Sequence, residues 1–191
     1  MRHLLGVLVA VMIASSCYAE DSLVFYNTGR RDPAAWSVLR EYFSSKRYAS
    51  SFHQGDEVIE GHLEKVNRIN ALRPGAFVGI EFFFGEGKRV MVVMTDSGKI
   101  GQPDGRTGIE GRRLLWAVEE LPAKHEAQSR RLAELVAAQF QVPVKRMPLF
   151  PLIGVDMPGI FVTIQCNKEE AKSVLAMLDA ALHKYYRRDK L

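Results

Sequence analysis

The apolar residues of the chain fall into two spacings, which predict alternating strands and helices. Continuous apolar runs bounded by turn residues are typical of buried strands, and they occupy residues 23–26, 76–84, 89–95 and 159–165. Apolar positions three or four residues apart are typical of amphipathic helices, and they occupy residues 33–43, 57–71, 119–140 and 171–185. This alternation predicts a single α/β domain whose mostly parallel sheet carries helices on both faces.

Glycine, proline and polar residues separate these elements. Gly85 and Gly87 lie between the runs at 76–84 and 89–95, and because glycine adopts the positive φ of a tight connection, we expect these two strands to form a hairpin. Residues 44–56 are polar and residues 142–158 are interrupted by proline, so neither segment is predicted to be regular. Residues 96–113 are rich in Gly, Asp and Pro and predict a long exposed loop, a candidate flap.

The N-terminal residues have the pattern of an export signal. Arg2 and His3 precede an apolar run at residues 4–14, and small residues ending at Ala19 suit signal-peptidase cleavage. We therefore predict a signal peptide at residues 1–19, a domain at residues 20–191, and a periplasmic or envelope location. Residues 14–17 loosely resemble a lipobox, so a lipoprotein anchored through Cys17 is an alternative. No later apolar run approaches about 20 residues, so no integral membrane domain is expected.

The net charge bears on which partners the sequence predicts, and the cysteine content bears on how the fold is stabilised. The formal net charge is only +4, and the main basic concentration lies at residues 184–190, where it suits the C-terminal end of a helix dipole. Nucleic-acid binding is therefore not predicted. After signal cleavage Cys166 is the only cysteine, so packing without a disulfide must hold the fold.

One carboxylate interrupts the most apolar strand. Glu81 lies in the run GIEFFF at residues 79–84, and a buried carboxylate is costly unless a cation, a metal or a proton accompanies it. Sites in parallel sheets form at the carboxyl ends of the strands. Arg30 follows the first strand and Gln165 ends the last one, so we expect Arg30, Glu81 and Gln165 to share a pocket.

Four blocks of the sequence carry a resemblance to a known family. They are VFYNTGR at residues 24–30, KVNRIN followed by FVGIE at 65–81, SRRLA at 129–133, and DMPGIFVTIQCN at 156–167. The block at 24–30 is similar to V-V-I-D-P-G-H, and the block at 65–81 is similar to R-x-x-x-A-N followed by F-I-S-I-H. The block at 129–133 is similar to S-x-x-L-A, and the block at 156–167 is similar to D-x-P-x-x-L-V-E-x-G-F-x-S-N. These are motifs of the zinc-dependent N-acetylmuramoyl-L-alanine amidases of bacterial cell walls. The resemblance implies an amidase-like fold and a peptidoglycan-related role.

The positions that the resemblance assigns to zinc and to catalysis are altered. Active members are expected to hold zinc with two histidines and a glutamate, and to use a further glutamate as the base. Here Arg30 and Glu81 stand at the two histidine positions, and no equivalent of the ligand glutamate is found. Gln165 lies near the position of the base, and an amide does not accept a proton from water. We therefore predict no catalytic residue, no cofactor, and an Arg30–Glu81 ion pair where the metal would lie.

Two functions follow from these observations. The first is a catalytically inactive envelope protein that binds peptidoglycan fragments or a wall-processing enzyme, with Arg106, Arg112 and Arg113 of the long loop as candidate contacts for peptide carboxylates. The alternative is an active metal-dependent amidase with rearranged ligands. In that case His53, His62 and Glu81 would bind zinc, because imidazole and carboxylate both suit this metal.

Overall fold

The computed structural model describes residues 22–29, 32–96 and 120–187. The predicted signal peptide, Cys17, Arg30 and the arginines Arg106, Arg112 and Arg113 lie outside these residues. The elements are, in chain order, β1 (Ser22–Asn27), α1 (Pro33–Ser44), β2 (Ala49–Gln54), α2 (Ile59–Ala71), β3 (Ala76–Phe84), β4 (Arg89–Met94), α3 (Glu126–Phe140), β5 (Val144–Arg146), β6 (Gly159–Cys166) and α4 (Ala171–Arg187). No helix within the described ranges is long and apolar enough to cross a membrane.

The strands form one six-stranded sheet in the order β2-β1-β3-β6-β4-β5. Four of the neighbouring pairs are parallel, and only β4 and β6 are antiparallel. The prediction of a single α/β domain with a mostly parallel sheet is confirmed.

Alternate residues of each strand point to opposite faces of the sheet, and both faces are covered. On the first face, α1, α3 and α4 pack on alternate residues of the central strands, such as Val78 and Ile80 of β3. On the second face, residues of α2 and of the segment 149–157 pack on Tyr26, Phe77 and Phe161. The predicted helices on both faces are therefore confirmed, and the apolar runs reflect strands buried on two sides.

The predicted hairpin between β3 and β4 is wrong. β6 lies between these two strands and pairs with β3 on one side and with β4 on the other. The connection of residues 85–88 crosses the end of β6, where the Gly85 amide donates to the Cys166 carbonyl at 3.1 Å. Four residues suffice for this crossing, because strands two positions apart in a sheet are separated by about 10 Å. Turn composition therefore did not distinguish a hairpin from a crossing over one strand.

Two strands were missed by the apolar pattern, and both lie at edges of the sheet. β2 falls in the polar segment 44–56, and the three-residue β5 falls in the proline-interrupted segment 142–158. An edge strand is only partly buried, as the burial of both strands shows, so it needs few apolar residues. The continuous apolar run therefore finds the central strands and overlooks the edges.

Candidate functional site

Glu81 lies on the second face of the sheet, near the carboxyl end of β3, and is partly buried. The loop that follows β1 approaches it closely. Gly29 has a φ of +71°, and a Cβ atom added there would stand 3.0 Å from Glu81 Oε1. A residue with a side chain would meet both the strain of this backbone conformation and the carboxylate, so glycine is strongly favoured here. The backbone leaving β1 is thus packed against the Glu81 carboxylate.

Asp32 holds the other end of this loop. Its Oδ1 accepts from the backbone amides of Ala34 and Ala35 at 3.1 Å, which caps α1. Its Oδ2 accepts from the backbone amide of Phe84 at 3.0 Å, which ties the start of α1 to the end of β3. Gly29 and Asp32, the described residues on either side of positions 30 and 31, therefore both lie near the carboxyl end of β3. Since Arg30 itself is outside the described residues, its ion pair with Glu81 stays a prediction.

Gln165 is engaged by the crossing connection between β3 and β4. Its Nε2 donates to the Glu86 carbonyl at 2.7 Å, and a Cβ atom on Gly85 would stand 2.9 Å from that nitrogen. In the sheet register Gln165 lies opposite Phe83, one row beyond Glu81. The amide nitrogen thus has a structural role at the crossing connection, and the pocket that Gln165 is predicted to share with Arg30 and Glu81 stays a prediction.

Thr163 is the residue directly beside Glu81, and sequence reasoning missed it. The two lie opposite each other in neighbouring parallel strands and share the second face. The Thr163 hydroxyl oxygen is buried, and it has no hydrogen-bond partner among the described residues. Two signals could have found it: positions 161, 163 and 165 share a face in a strand, and the V-E of the family motif, counted without a gap, falls on Val162-Thr163.

His62 is a buried link between three segments. It is 0% exposed, its Nε2 donates to the Ile153 carbonyl at 3.0 Å, and its Nδ1 accepts from the Tyr26 hydroxyl at 3.0 Å. These partners fix the neutral tautomer, because a carbonyl can only accept. Burial lowers the pKa of His62 and so also favours the neutral ring. Since both ring nitrogens are occupied within the protein, His62 is not placed to bind a metal.

The alternative zinc site is not assembled. His53 lies on β2, with Nε2 at 3.2 Å from the Ser51 hydroxyl, and β1 separates that strand from Glu81 on β3. Among residues 22–29, 32–96 and 120–187, no three His, Cys, Asp or Glu side chains are grouped so that they could hold a metal ion. The set His53, His62 and Glu81 was therefore wrong as a ligand site, and the described residues do not fit the zinc centre that the resemblance implies.

The described residues on either side of the segment 97–119 lie at the end of the sheet opposite Glu81. Because β4 runs antiparallel to β6, it finishes at the amino end of β6. Thr95 before the segment and Pro122 after it line one small cavity together with Gly159, the first residue of β6. The predicted flap itself lies outside the described residues from position 97 onward, and contact of its three arginines with a ligand stays a prediction.

Comparison with solved structures supports the fold. N-acetylmuramoyl-L-alanine amidase AmiC2 of Nostoc punctiforme superposes with a TM-score of 0.50 at 15% identity, over 88% of this chain and 98% of that chain. The apo form of the N-acetylmuramyl-L-alanine amidase Ami1 from Mycobacterium abscessus superposes with a TM-score of 0.51 at 10% identity, over 86% of this chain and 98% of that chain. The chain has an amidase-like fold. No protein-family model and no curated protein matches the sequence.

Proposed function

We propose that this chain is an exported cell-envelope protein that uses an amidase-like fold to bind a peptidoglycan fragment or a wall-processing enzyme without hydrolysing the wall. The observation that carries the proposal is the close packing of Gly29 against the Glu81 carboxylate. The next residue in the chain is Arg30. A guanidinium stays protonated and has no free lone pair with which to coordinate a metal. An arginine beside this carboxylate would therefore take the place of the ion that the family fold would hold there.

The neighbours of Glu81 on β6 support the absence of hydrolysis. Thr163 lies directly beside it, and Gln165 lies one row further along the strand. Neither a hydroxyl nor an amide accepts a proton from water at neutral pH, so neither can serve as the general base of an amidase. Glu81 is the one carboxylate on β3 and β6, and the proposed ion pair with Arg30 would keep it from acting as a base.

The proposal is tested by measuring metal content and hydrolysis on the same purified protein. The expected result is no stoichiometric zinc after incubation with excess zinc and dialysis, and no release of stem peptides from purified peptidoglycan. An active zinc amidase assayed in parallel verifies the substrate. About one zinc per chain together with zinc-dependent release of peptides would overturn the proposal.

Cosedimentation separates the two proposed partners. We expect the protein to sediment with bacterial envelopes. If sacculi stripped of protein by detergent and protease still retain it, the partner is peptidoglycan; if only untreated envelopes do, the partner is a wall-associated protein. Failure to sediment with either preparation would contradict a binding role in the envelope.

A further inference from the structure

The two edges of the sheet differ in how they are protected. β5 has three residues, two of which are the exposed Lys145 and Arg146, and prolines stand at positions 143 and 148. Short length, charge and proline are the usual devices that keep a sheet edge from pairing with another chain. β2 has six residues, ASSFHQ, without a charge or a proline. Among the described residues, no strand pairs with its outer edge.

The centre of β2 carries an aromatic cluster that is only partly buried. The Phe52 ring stacks on Phe25 at a centroid distance of 5.6 Å and meets the Trp36 ring edge-on at 6.0 Å. The Arg40 guanidinium lies 6.0 Å from the Phe52 ring centre. Phe52 and Trp36 both keep part of their surface in solvent. An added strand beside β2 would bury this surface.

Charges of opposite sign stand at the two ends of β2. Lys46 and Arg47 precede the strand, and Asp56 and Glu57 follow it. Arg47 and Glu57 are exposed. In an antiparallel pair of identical strands, the basic end of each copy lies beside the acidic end of the other, and such cross-strand pairs are favourable. A parallel pair would place like charges together.

We propose that β2 pairs antiparallel with β2 of a second copy of this chain, across a two-fold axis at Phe52, so that two six-stranded sheets form one sheet of twelve strands. Opposite residues in such a pair share a face of the sheet, which restricts the register. Centring on Phe52 sets the two Phe52 rings together and brings the basic segment before one β2, which contains Arg47, beside the acidic segment after the other, which contains Glu57.

This interface goes beyond the proposed function, because it involves neither Glu81 nor its neighbours. Its partner is a second copy rather than a different protein, since the same strand supplies both complementary ends. The interface is isologous, the arrangement found in the commonest homodimers.

Sedimentation equilibrium under reducing conditions tests the interface through its charges. The purified protein is expected to show a concentration-dependent equilibrium between one and two copies. Arg47→Glu should raise the dimer dissociation constant about tenfold at low salt, since it replaces two attractive contacts by two repulsive ones. The double variant Arg47→Glu/Glu57→Arg should restore the original constant, because it exchanges the charges without removing the pair.

The matched control is Lys145→Glu on the opposite edge strand, which should leave the dissociation constant unchanged. Circular dichroism verifies that each variant is folded, as expected for exposed positions. A protein that stays monomeric at all concentrations up to about 1 mM, or a dimer that Arg47→Glu does not weaken, would overturn the proposal.

Discussion

The two faces of the sheet are closed by different interactions. On the first face, helices pack through apolar side chains such as Leu39, Leu132 and Leu178, each 0% exposed. On the second face, hydrogen bonds of Tyr26, His62 and Asn70 attach α2 to the sheet and to the segment 150–157. Glu81 and Thr163 lie on this same face. Both faces bury an apolar cluster, and the second adds this set of hydrogen bonds, so its packing also depends on the positions of a few polar atoms.

This difference explains where the candidate site lies. An unpaired buried charge is costly, and Glu81 lies on the face where buried hydrogen bonds join α2 to the sheet. It also means that substitutions on the two faces should differ in kind. The following predictions run from the largest expected effect to the smallest.

The largest loss is expected on the first face, at Leu178. Replacing this fully buried residue by alanine should lower the free energy of unfolding by about 4 kcal/mol, because it removes buried methyl groups and leaves a cavity. Urea denaturation measures the change. Leu72→Ala is the control, since Leu72 is 67% exposed and should cost less than about 0.5 kcal/mol. Similar losses for both variants would contradict an apolar first face.

The second prediction concerns the proposed ion pair beside Gly29. Arg30→Met should lower the free energy of unfolding by about 3 kcal/mol, because it leaves the Glu81 carboxylate without its cation. Adding Glu81→Gln to that variant should recover most of the loss, and the double-mutant cycle then reports the coupling. Arg31→Met provides the matched control. Thermal melts that Arg30→Met leaves unchanged would count against the pair.

Asn70 should have a smaller effect, confined to the second face. Its Nδ2 donates to the Gly154 carbonyl at 2.8 Å, and its Oδ1 accepts from the Asp156 amide at 3.1 Å. Asn70→Ala should cost about 2 kcal/mol through these two hydrogen bonds and should speed hydrogen exchange at the Asp156 amide. Asn67→Ala, at an exposed position of the same helix, should do neither. Unchanged exchange at Asp156 would show that the turn holds without Asn70.

The smallest effect is a pH dependence that His62 contributes. Burial lowers the pKa of His62 in the folded protein, while Asp56 and Lys65 exert opposing influences on it. The unfolded chain therefore binds the proton more readily. The stability from His62 is fully present above the unfolded pKa, near 6.5, and is lost as the pH falls through the lower folded pKa.

The direction of this pH dependence is tested by measuring the free energy of unfolding between pH 4 and pH 8, an interval of about four units that contains the usual histidine pKa. The wild type should lose stability on acidification, and His62→Gln should lose less over the same interval. Burial also lowers the pKa of His53, so part of the slope should persist in the variant and become smaller in His53→Gln/His62→Gln. A residual slope toward pH 4 should remain, because the backbone amide of Val58 lowers the pKa of Asp56. An identical slope in wild type and His62→Gln would exclude His62 as a source.

Sequence reasoning located some residues of the candidate site and missed others. Glu81 was placed correctly within a buried strand, because a charge in an apolar run is visible without any structure; its part in a binding site stays a prediction. Thr163 was missed, since its importance comes from the register between β3 and β6, which are far apart in the chain. His62 was predicted as a possible metal ligand because its hydrogen-bond partners, Tyr26 and Ile153, are distant in sequence and could not be recognised from the chain alone.

The amino-acid pattern by itself determined the central strands, the helices and the parallel α/β class, because each follows from the burial of neighbouring side chains at a regular period. Tertiary structure alone decided which strands are neighbours: β6 separates β3 from β4, and β2 closes one edge. Strand order depends on contacts between distant segments, and a local turn composed of Gly85 and Gly87 is compatible with more than one order. The surroundings of Glu81 are likewise a product of that order.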